Sequence, residues 1–261
     1  MKILVSDLDG TLFRDNIICD NDLKSLATLK DNGHKFIVAT GRTLEGVRIL
    51  SEKFNFEYDY LVLCNGSIVM NSSHEIIYKK SIDNSIALSI IKDYIDCEDL
   101  YIYLDTGTES YVPVNKYDKK LVAEFADNIK VLNNEKIFRL NCDFQILCFN
   151  SISNSIERVE AIKTEIISKY GDLVEVYRNT HFLDIVPKNC SKGDGLNHIL
   201  NEIGVNTTNV YTIGDSFNDL PMFEITDNSY TFHHVDDLIK ANANNHVHYV
   251  HECVDHIIKS S

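Results

Sequence analysis

The chain has 261 residues, 44% of them hydrophobic and 25% charged, which suits a soluble globular protein with one large core or two modest ones. A formal net charge of −14 repels phosphate backbones and anionic lipid, so neither nucleic acid nor a membrane is an expected partner, and any anionic substrate must be held by a metal and a few local cations. The seven cysteines are scattered and form no CxxC pair, which argues against a disulfide framework and a structural zinc site. The N-terminal apolar stretch, residues 3–5, is too short for a signal peptide, and no run approaches the ~18 apolar residues of a membrane helix. A soluble cytoplasmic protein is expected, with its oligomeric state open.

In chain order, residues 2–6 read as a short buried strand that stops at Asp7-Leu8-Asp9-Gly10-Thr11. Asp20 or Asn21 is placed to cap a helix carrying Leu23, Leu26 and Leu29, which Gly33 closes. A second strand, residues 36–39, ends in Thr40-Gly41-Arg42, and a helix with Leu44, Val47 and Leu50 on one face runs to about Phe54. A third strand, residues 61–64, ends in Asn65-Gly66. This alternation predicts an α/β fold with a parallel sheet and helices on both faces, in which ligands bind beyond the C-terminal strand ends.

The middle of the chain changes character. Residues 68–70 and 76–78 read as a hairpin. Helices near 84–96 and 154–170 then mix with strands near 101–105, 110–114, 144–149 and 173–177, the pattern of an α+β module. The first pattern resumes at Ser191-Lys192-Gly193, followed by a strand at 210–213, the polar end Gly214-Asp215-Ser216 and a helix from about Asn218. The expected organisation is a discontinuous core, residues 1–80 and 188–261, with residues 81–187 inserted as a second domain.

Four polar elements carry the chemistry. Residues two apart on a strand point the same way, so Asp7 and Asp9 converge at one strand end, where a cation or a shared proton must relieve their repulsion. Alone, Asp-x-Asp also fits a solvated turn or a metal-dependent glycosyltransferase. Thr40-Gly41-Arg42 offers a hydroxyl and exposed backbone N–H groups before a helix, a phosphate cradle or a plain capped turn. Lys192 opposes the macrodipole at its helix start, which suggests a task for its charge, although a lone lysine usually extends into water. Gly214-Asp215-Ser216-Phe217-Asn218-Asp219 adds two carboxylates and an amide at another strand end; one of them as a helix cap does not explain the whole set.

Together, Asp7-Leu8-Asp9-Gly10-Thr11-Leu12, Ala39-Thr40-Gly41-Arg42, Lys192-Gly193 and Gly214-Asp215-Ser216-x-Asn218-Asp219 resemble the four signature motifs of haloacid dehalogenase-type hydrolases. The Thr-Gly-Arg form, Cys64-Asn65-Gly66 and the long insertion before the lysine resemble the Cof-type sugar-phosphatase branch. The chain departs from many relatives at Thr231-Phe232-His233-His234-Val235, where they carry Gly-Asn-Ala. The resemblance implies a Rossmann-like core with an inserted α+β cap, and a phosphatase acting on a small phosphorylated metabolite. It implies Asp7 as nucleophile and Asp9 as general acid and base. Mg²⁺ would sit on Asp7, Asp215 and the backbone carbonyl of Asp9, with phosphate or substrate contacts from Leu8, Thr40, Gly41, Arg42, Lys192 and Asn218. Asp219 and Asn65 would support them; Arg42 either touches substrate or pairs with a helix carboxylate.

A phosphotransferase or phosphomutase would use the same nucleophile, and a non-catalytic binding protein the same fold. The 144–149 and 173–177 stretches read as core of the inserted domain rather than as a specificity groove. Asp105-Thr106-Gly107 resembles one half of an aspartic-protease pair but reads as a turn. The histidines from His233 to His256 lack a metal-ligand pattern and read as surface residues.

Overall fold

The computed structural model describes residues 1–116 and 129–260. Its strands are β1 (Ile3–Ser6), β2 (Lys35–Ala39), β3 (Tyr60–Leu63), β4 (Ile68–Asn71), β5 (Ile76–Lys79), β6 (Leu100–Asp105), β7 (Ser110–Pro113), β8 (Ile129–Leu132), β9 (Ile146–Ser151), β10 (Val174–Asn179), β11 (Phe182–Pro187), β12 (Val210–Ile213), β13 (Ser229–Phe232) and β14 (Asn245–Val247). Its α-helices are α1 (Asp20–Asp31), α2 (Leu44–Phe54), α3 (Asn84–Tyr94), α4 (Asn134–Ile137), α5 (Ile156–Tyr170), α6 (Lys192–Ile203), α7 (Leu220–Phe223), α8 (Asp237–Lys240) and α9 (Val250–Lys259). The described chain divides into two compact units. One comprises Met1–Thr40, Leu50–Tyr78 and Ser191–Ser261; the other comprises Gly41–Ile49 and Lys79–Cys190.

The first unit is built on a sheet of order β14-β13-β12-β1-β2-β3-β4-β5. The pairings from β14 through β3 are parallel, and β4 lies antiparallel to β3. A parallel sheet is covered on both faces, so its central strands need apolar residues at consecutive positions. β1 is Ile-Leu-Val-Ser and buried at all four positions. Ile3, Val5, Ile37, Ala39 and Val62 pack with Leu196, Ile199 and Leu200 of α6 and Met222 and Phe223 of α7, while the alternate residues Leu4, Val38 and Leu61 are also buried. The fold is the α/β fold expected. The order reverses at β1, whose neighbours are β12 and β2, and ligand crevices form at such points.

The second unit has a sheet of order β10-β11-β9-β6-β7-β8, antiparallel at β10–β11, β11–β9, β9–β6 and β6–β7. Ile90 and Ile91 of α3 and Ile162 and Ile166 of α5 cover the face carrying Ile102, Leu104, Leu147, Phe149, Leu183 and Ile185. The stretches near 144–149 and 173–177 lie in this core, through Phe144, Leu147, Phe149, Val174 and Val176. Asp105-Thr106-Gly107 is a turn between β6 and β7, where Asp105 accepts hydrogen bonds from Ser110 Oγ at 2.5 Å and Tyr103 Oη at 3.0 Å.

Four sequence expectations need correction. The N-cap of α1 is Cys19, whose thiol makes no capping bond, so Asp20 is already helical. β1 ends at Ser6, so strand alternation does not extend to Asp7 and Asp9. The helix near Asn218 begins as a 3₁₀ turn, Phe217–Asp219, and its α-helical part ends at Phe223. Strands β8, β11, β13 and β14 were not anticipated. They are short or carry polar residues, such as Asp184 in β11, which is buried and accepts from Cys148 Sγ at 3.2 Å.

Candidate active site

Four adjacent strands of the first sheet, β12, β1, β2 and β3, end side by side. The sheet's hydrogen bonding runs past those ends. Asp7 N–H donates to Ile213 O at 3.0 Å, Thr40 N–H to Val62 O at 2.8 Å, and Asn65 N–H to Thr40 O at 3.0 Å. Each residue that follows a strand is therefore positioned by its neighbour's backbone rather than by a mobile loop. Asp7, Thr40 and Asn65 are all buried.

Lys192 enters from the first position of α6, and Ser191 caps that helix by accepting from Asp194 N–H. Its side chain is inaccessible to solvent, and Nζ lies 2.6 Å from Asp7 Oδ1 and 2.6 Å from Asp219 Oδ1. The exposed-lysine reading is thereby excluded. Asp219 uses both oxygens. Oδ2 accepts from the backbone N–H groups of Asp215 and Ser216, each at 2.9 Å, which closes the 3₁₀ turn and sets the loop carrying Asp215.

Asp215 is gripped from the other side. Thr11 Oγ1 donates to its Oδ1 at 2.6 Å. A Cβ on Gly10 would stand 2.3 Å from Asp215 Oδ2, and Gly10 has φ +86°, so neither space nor backbone admits a side chain there. Ligand oxygens of Asp7, Asp215 and Asp219 lie within 4.8 Å of one another. Carboxylates this close hold either a proton or a cation between them. An all-oxygen donor set in this arrangement fits a hard divalent cation such as Mg²⁺.

The electrostatics agree. Burial pushes the Asp7 carboxyl well above the usual range; Lys192 opposes this, while Asp219, Asp215 and Asp9 add to it. Burial and then the charge of Asp219 push Asp215 up to about 7, against the Thr11 hydrogen bond and the charge of Lys192. Burial pulls Lys192 down, but the charges and hydrogen bonds of Asp219 and Asp7 outweigh it, and the ammonium is held. One lysine cannot neutralise this crowd of acids.

The remaining expected residues fall as follows. The Leu8 side chain is fully buried and its carbonyl accepts from the backbone N–H groups of Thr11 and Phe13. Asp9 is half-buried, bridges to Phe13, and is close enough for its charge to act on Asp7. Gly41 and the buried Arg42 open the turn after Thr40 and group with the second unit. Asn218 Nδ2 donates to Asn65 Oδ1 at 3.2 Å, and Asn218 Oδ1 is buried with no hydrogen-bond partner among the described residues. Asn65 follows Cys64 in two successive left-handed conformations, φ 48° and 49°, a strained turn of the kind kept at functional sites. Sequence reading missed Thr11 and also Thr231, whose Oγ1 donates to Gly214 O at 2.8 Å. A hydroxyl four residues after a candidate nucleophile was the available signal for Thr11.

A family model described as haloacid dehalogenase-like hydrolase matches residues 4–257. A Bacillus subtilis 5-amino-6-(5-phospho-D-ribitylamino)uracil phosphatase is 25% identical over 253 residues, covering 86% of this chain and 85% of that protein. Solved structures share the fold. A haloacid dehalogenase-like hydrolase from Bacteroides thetaiotaomicron superposes with a TM-score of 0.82 at 22% identity, over 98% of this chain and 99% of that one. A sugar phosphatase of subclass IIB superposes with a TM-score of 0.80 at 19% identity, over 98% of both chains. Among the described residues no helix is long and apolar enough to cross a membrane.

Proposed function

The chain belongs to the haloacid dehalogenase-like hydrolase family, and from that premise we propose that it is a Mg²⁺-dependent phosphatase of small phosphomonoesters that uses Asp7 as nucleophile. The observation that carries this reading is the buried Lys192 ammonium, 2.6 Å from both Asp7 and Asp219, with Asp215 completing the carboxylate cluster. With a divalent cation added to neutralise the acids, such a centre would orient a phosphoryl group while keeping one carboxylate oxygen fixed for in-line attack.

Asp7 attacks phosphorus and the leaving alkoxide departs, giving an aspartyl-phosphate. Asp9 donates the proton to that alkoxide and then takes one from the water that cleaves the acyl phosphate, which returns Asp7 and releases phosphate. Lys192, Thr40 and the N–H groups of Leu8 and Gly41 stabilise the transferring oxygens. Asn218, aligned by Asn65, binds a phosphate oxygen, and Asp219 positions Lys192. Asp7, Asp215 and the Asp9 carbonyl would hold Mg²⁺, which supplies charge neutralisation and orientation when bound. Residues 81–187 act as an inserted cap that selects the substrate, with residues 1–80 and 188–261 as the catalytic core. The related Bacillus and subclass IIB enzymes, named for a phosphorylated ribitylaminouracil and for sugars, support a small phosphorylated metabolite as substrate.

The test is phosphate release from p-nitrophenyl phosphate and a panel of sugar phosphates, with Mg²⁺ or EDTA, for wild type and Asp7→Asn. Release should need the metal and fall by about 10³-fold or more in the variant. Survival of more than about a tenth of the activity in Asp7→Asn would overturn the nucleophile assignment.

A further inference from the structure

Apart from the catalytic cluster, the first unit brings together Cys19, Asp22 and His251. Their sulfur, carboxylate oxygen and ring nitrogen all lie within 4.8 Å of one another. Cys19 is the N-cap of α1, Asp22 lies in the first turn of that helix, and His251 lies in the first turn of α9. Asp22 is 1% exposed. Its Oδ1 accepts from the His251 backbone N–H at 2.8 Å and contacts the ring Nδ1 at 2.8 Å.

Joining the two helix starts needs only the bond from the His251 backbone to Asp22. A thiol and an imidazole gathered within 4.8 Å of the buried Asp22 carboxylate go beyond that need. Cys19 also occupies a position where Ser, Thr, Asp or Asn would cap the helix, and its thiol makes no capping bond. Tyr249 stacks on the His251 ring at 5.3 Å and 19°, which restrains the ring. The His251 side chain is 24% exposed, so an ion has a route in from solvent.

We propose that Cys19, Asp22 and His251 form a second cation site that takes zinc or a similar divalent transition metal. Thiolate and imidazole are borderline-soft donors that suit zinc, whereas Mg²⁺ prefers an octahedron of oxygens. Zinc–ligand bonds of about 2.0–2.3 Å place tetrahedral donors about 3.3–3.6 Å apart, so small side-chain movements bring the three donors onto one ion. On binding, the thiol proton and any proton on the coordinating ring nitrogen go to solvent, and the Asp22–imidazole contact is replaced by bonds from each to the metal. Three protein donors leave a fourth position for water. The bound ion would pin α1, directly after the loop that leads away from Asp9, to α9.

The cysteine spacing did not point to this site because it uses a single cysteine, and its acid and histidine lie 229 residues apart. Neither did the view of the C-terminal histidines as surface residues. His233, His234, His246, His248 and His256 are exposed, but His251 is half-buried and bonded to Asp22.

The test is a Co²⁺ titration of the full chain kept in excess Mg²⁺. One equivalent should give sulfur-to-cobalt charge-transfer absorption and tetrahedral d–d bands, which Zn²⁺ then abolishes. The bands should vanish in Cys19→Ala, need at least tenfold more cobalt in His251→Gln, and persist in Asp7→Asn. The Asp7 cluster contains no sulfur, so the charge-transfer band separates the two sites. Absence of the band in folded wild type, or its persistence in Cys19→Ala, overturns the proposal.

Discussion

Lys192 and Asp219 meet at 2.6 Å with neither side chain reached by solvent. The pair links two tasks, because the same carboxylate that holds the lysine also holds the backbone of Asp215 and Ser216. Removing one member of a buried pair leaves an uncompensated charge, a loss of about 3–5 kcal/mol. Lys192→Met should therefore abolish turnover and destabilise the metal-free protein by about that amount in urea unfolding. Adding Asp219→Asn to Lys192→Met should recover part of the stability and none of the activity. Equal stability of the single and double variants would show that the two residues are not coupled.

Gly10 and Gly33 allow a controlled comparison. Both have positive φ, +86° and +74°, but a methyl on Gly10 would strike Asp215 whereas one on Gly33 would meet nothing within 4 Å. Alanine in a left-handed conformation costs about 1–2 kcal/mol at either site. Only Gly10→Ala should also raise, by tenfold or more, the Mg²⁺ concentration needed for half-maximal phosphate release. The same shift in Gly33→Ala would remove the steric explanation.

Asn65 separates backbone from side chain. Its φ and ψ of 49° and 41° favour Asn or Gly, and its side chain aligns Asn218. Asn65→Gly should unfold at higher urea than Asn65→Ala, by about 1 kcal/mol. Both should lower kcat/KM for phosphoester hydrolysis, because both release the Asn218 amide. Equal stability of the two variants would mean that the turn carries no strain.

The parts of this molecule legible in sequence are those where one strand or one helix start determines the outcome. β1, β2, β3 and β12 were readable because both faces of a parallel sheet demand unbroken apolar runs; Asp7 and Thr40 directly follow strand ends, and Asp215 lies one residue further beyond another. The contacts between those ends were not readable. Thr11 reaches Asp215 across 204 residues and Lys192 reaches Asp7 across 185, and no local pattern encodes such pairings. The convergence of Asp7 and Asp9 was argued from strand alternation, whereas the observed carboxylate cluster is Asp7, Asp215 and Asp219, with Asp9 in a turn. Cys19 as the cap of α1 was missed because propensity favours the neighbouring Asp20 and Asn21.

The acid cluster should make cation binding depend on pH. Burial and Asp219 raise Asp215 to about 7, and Asp7 is raised in the same direction. A carboxyl with a raised folded-state pKa binds its proton more tightly when folded. In the metal-free protein its contribution to stability is present below the unfolded value of about 3.9 and is lost as pH rises through about 7. A divalent cation must displace that proton. Its apparent affinity should thus weaken by about tenfold per pH unit below about 7 for each proton released, and level off above it. The thermal stabilisation given by a fixed Mg²⁺ concentration should grow from pH 5 to pH 8, read as the Tm difference between Mg²⁺ and EDTA at each pH. A pH-independent difference would mean that the cation does not compete with a proton at Asp7 and Asp215. In Asp215→Asn the stabilisation should be small at every pH, because a ligand is lost together with the titrating group.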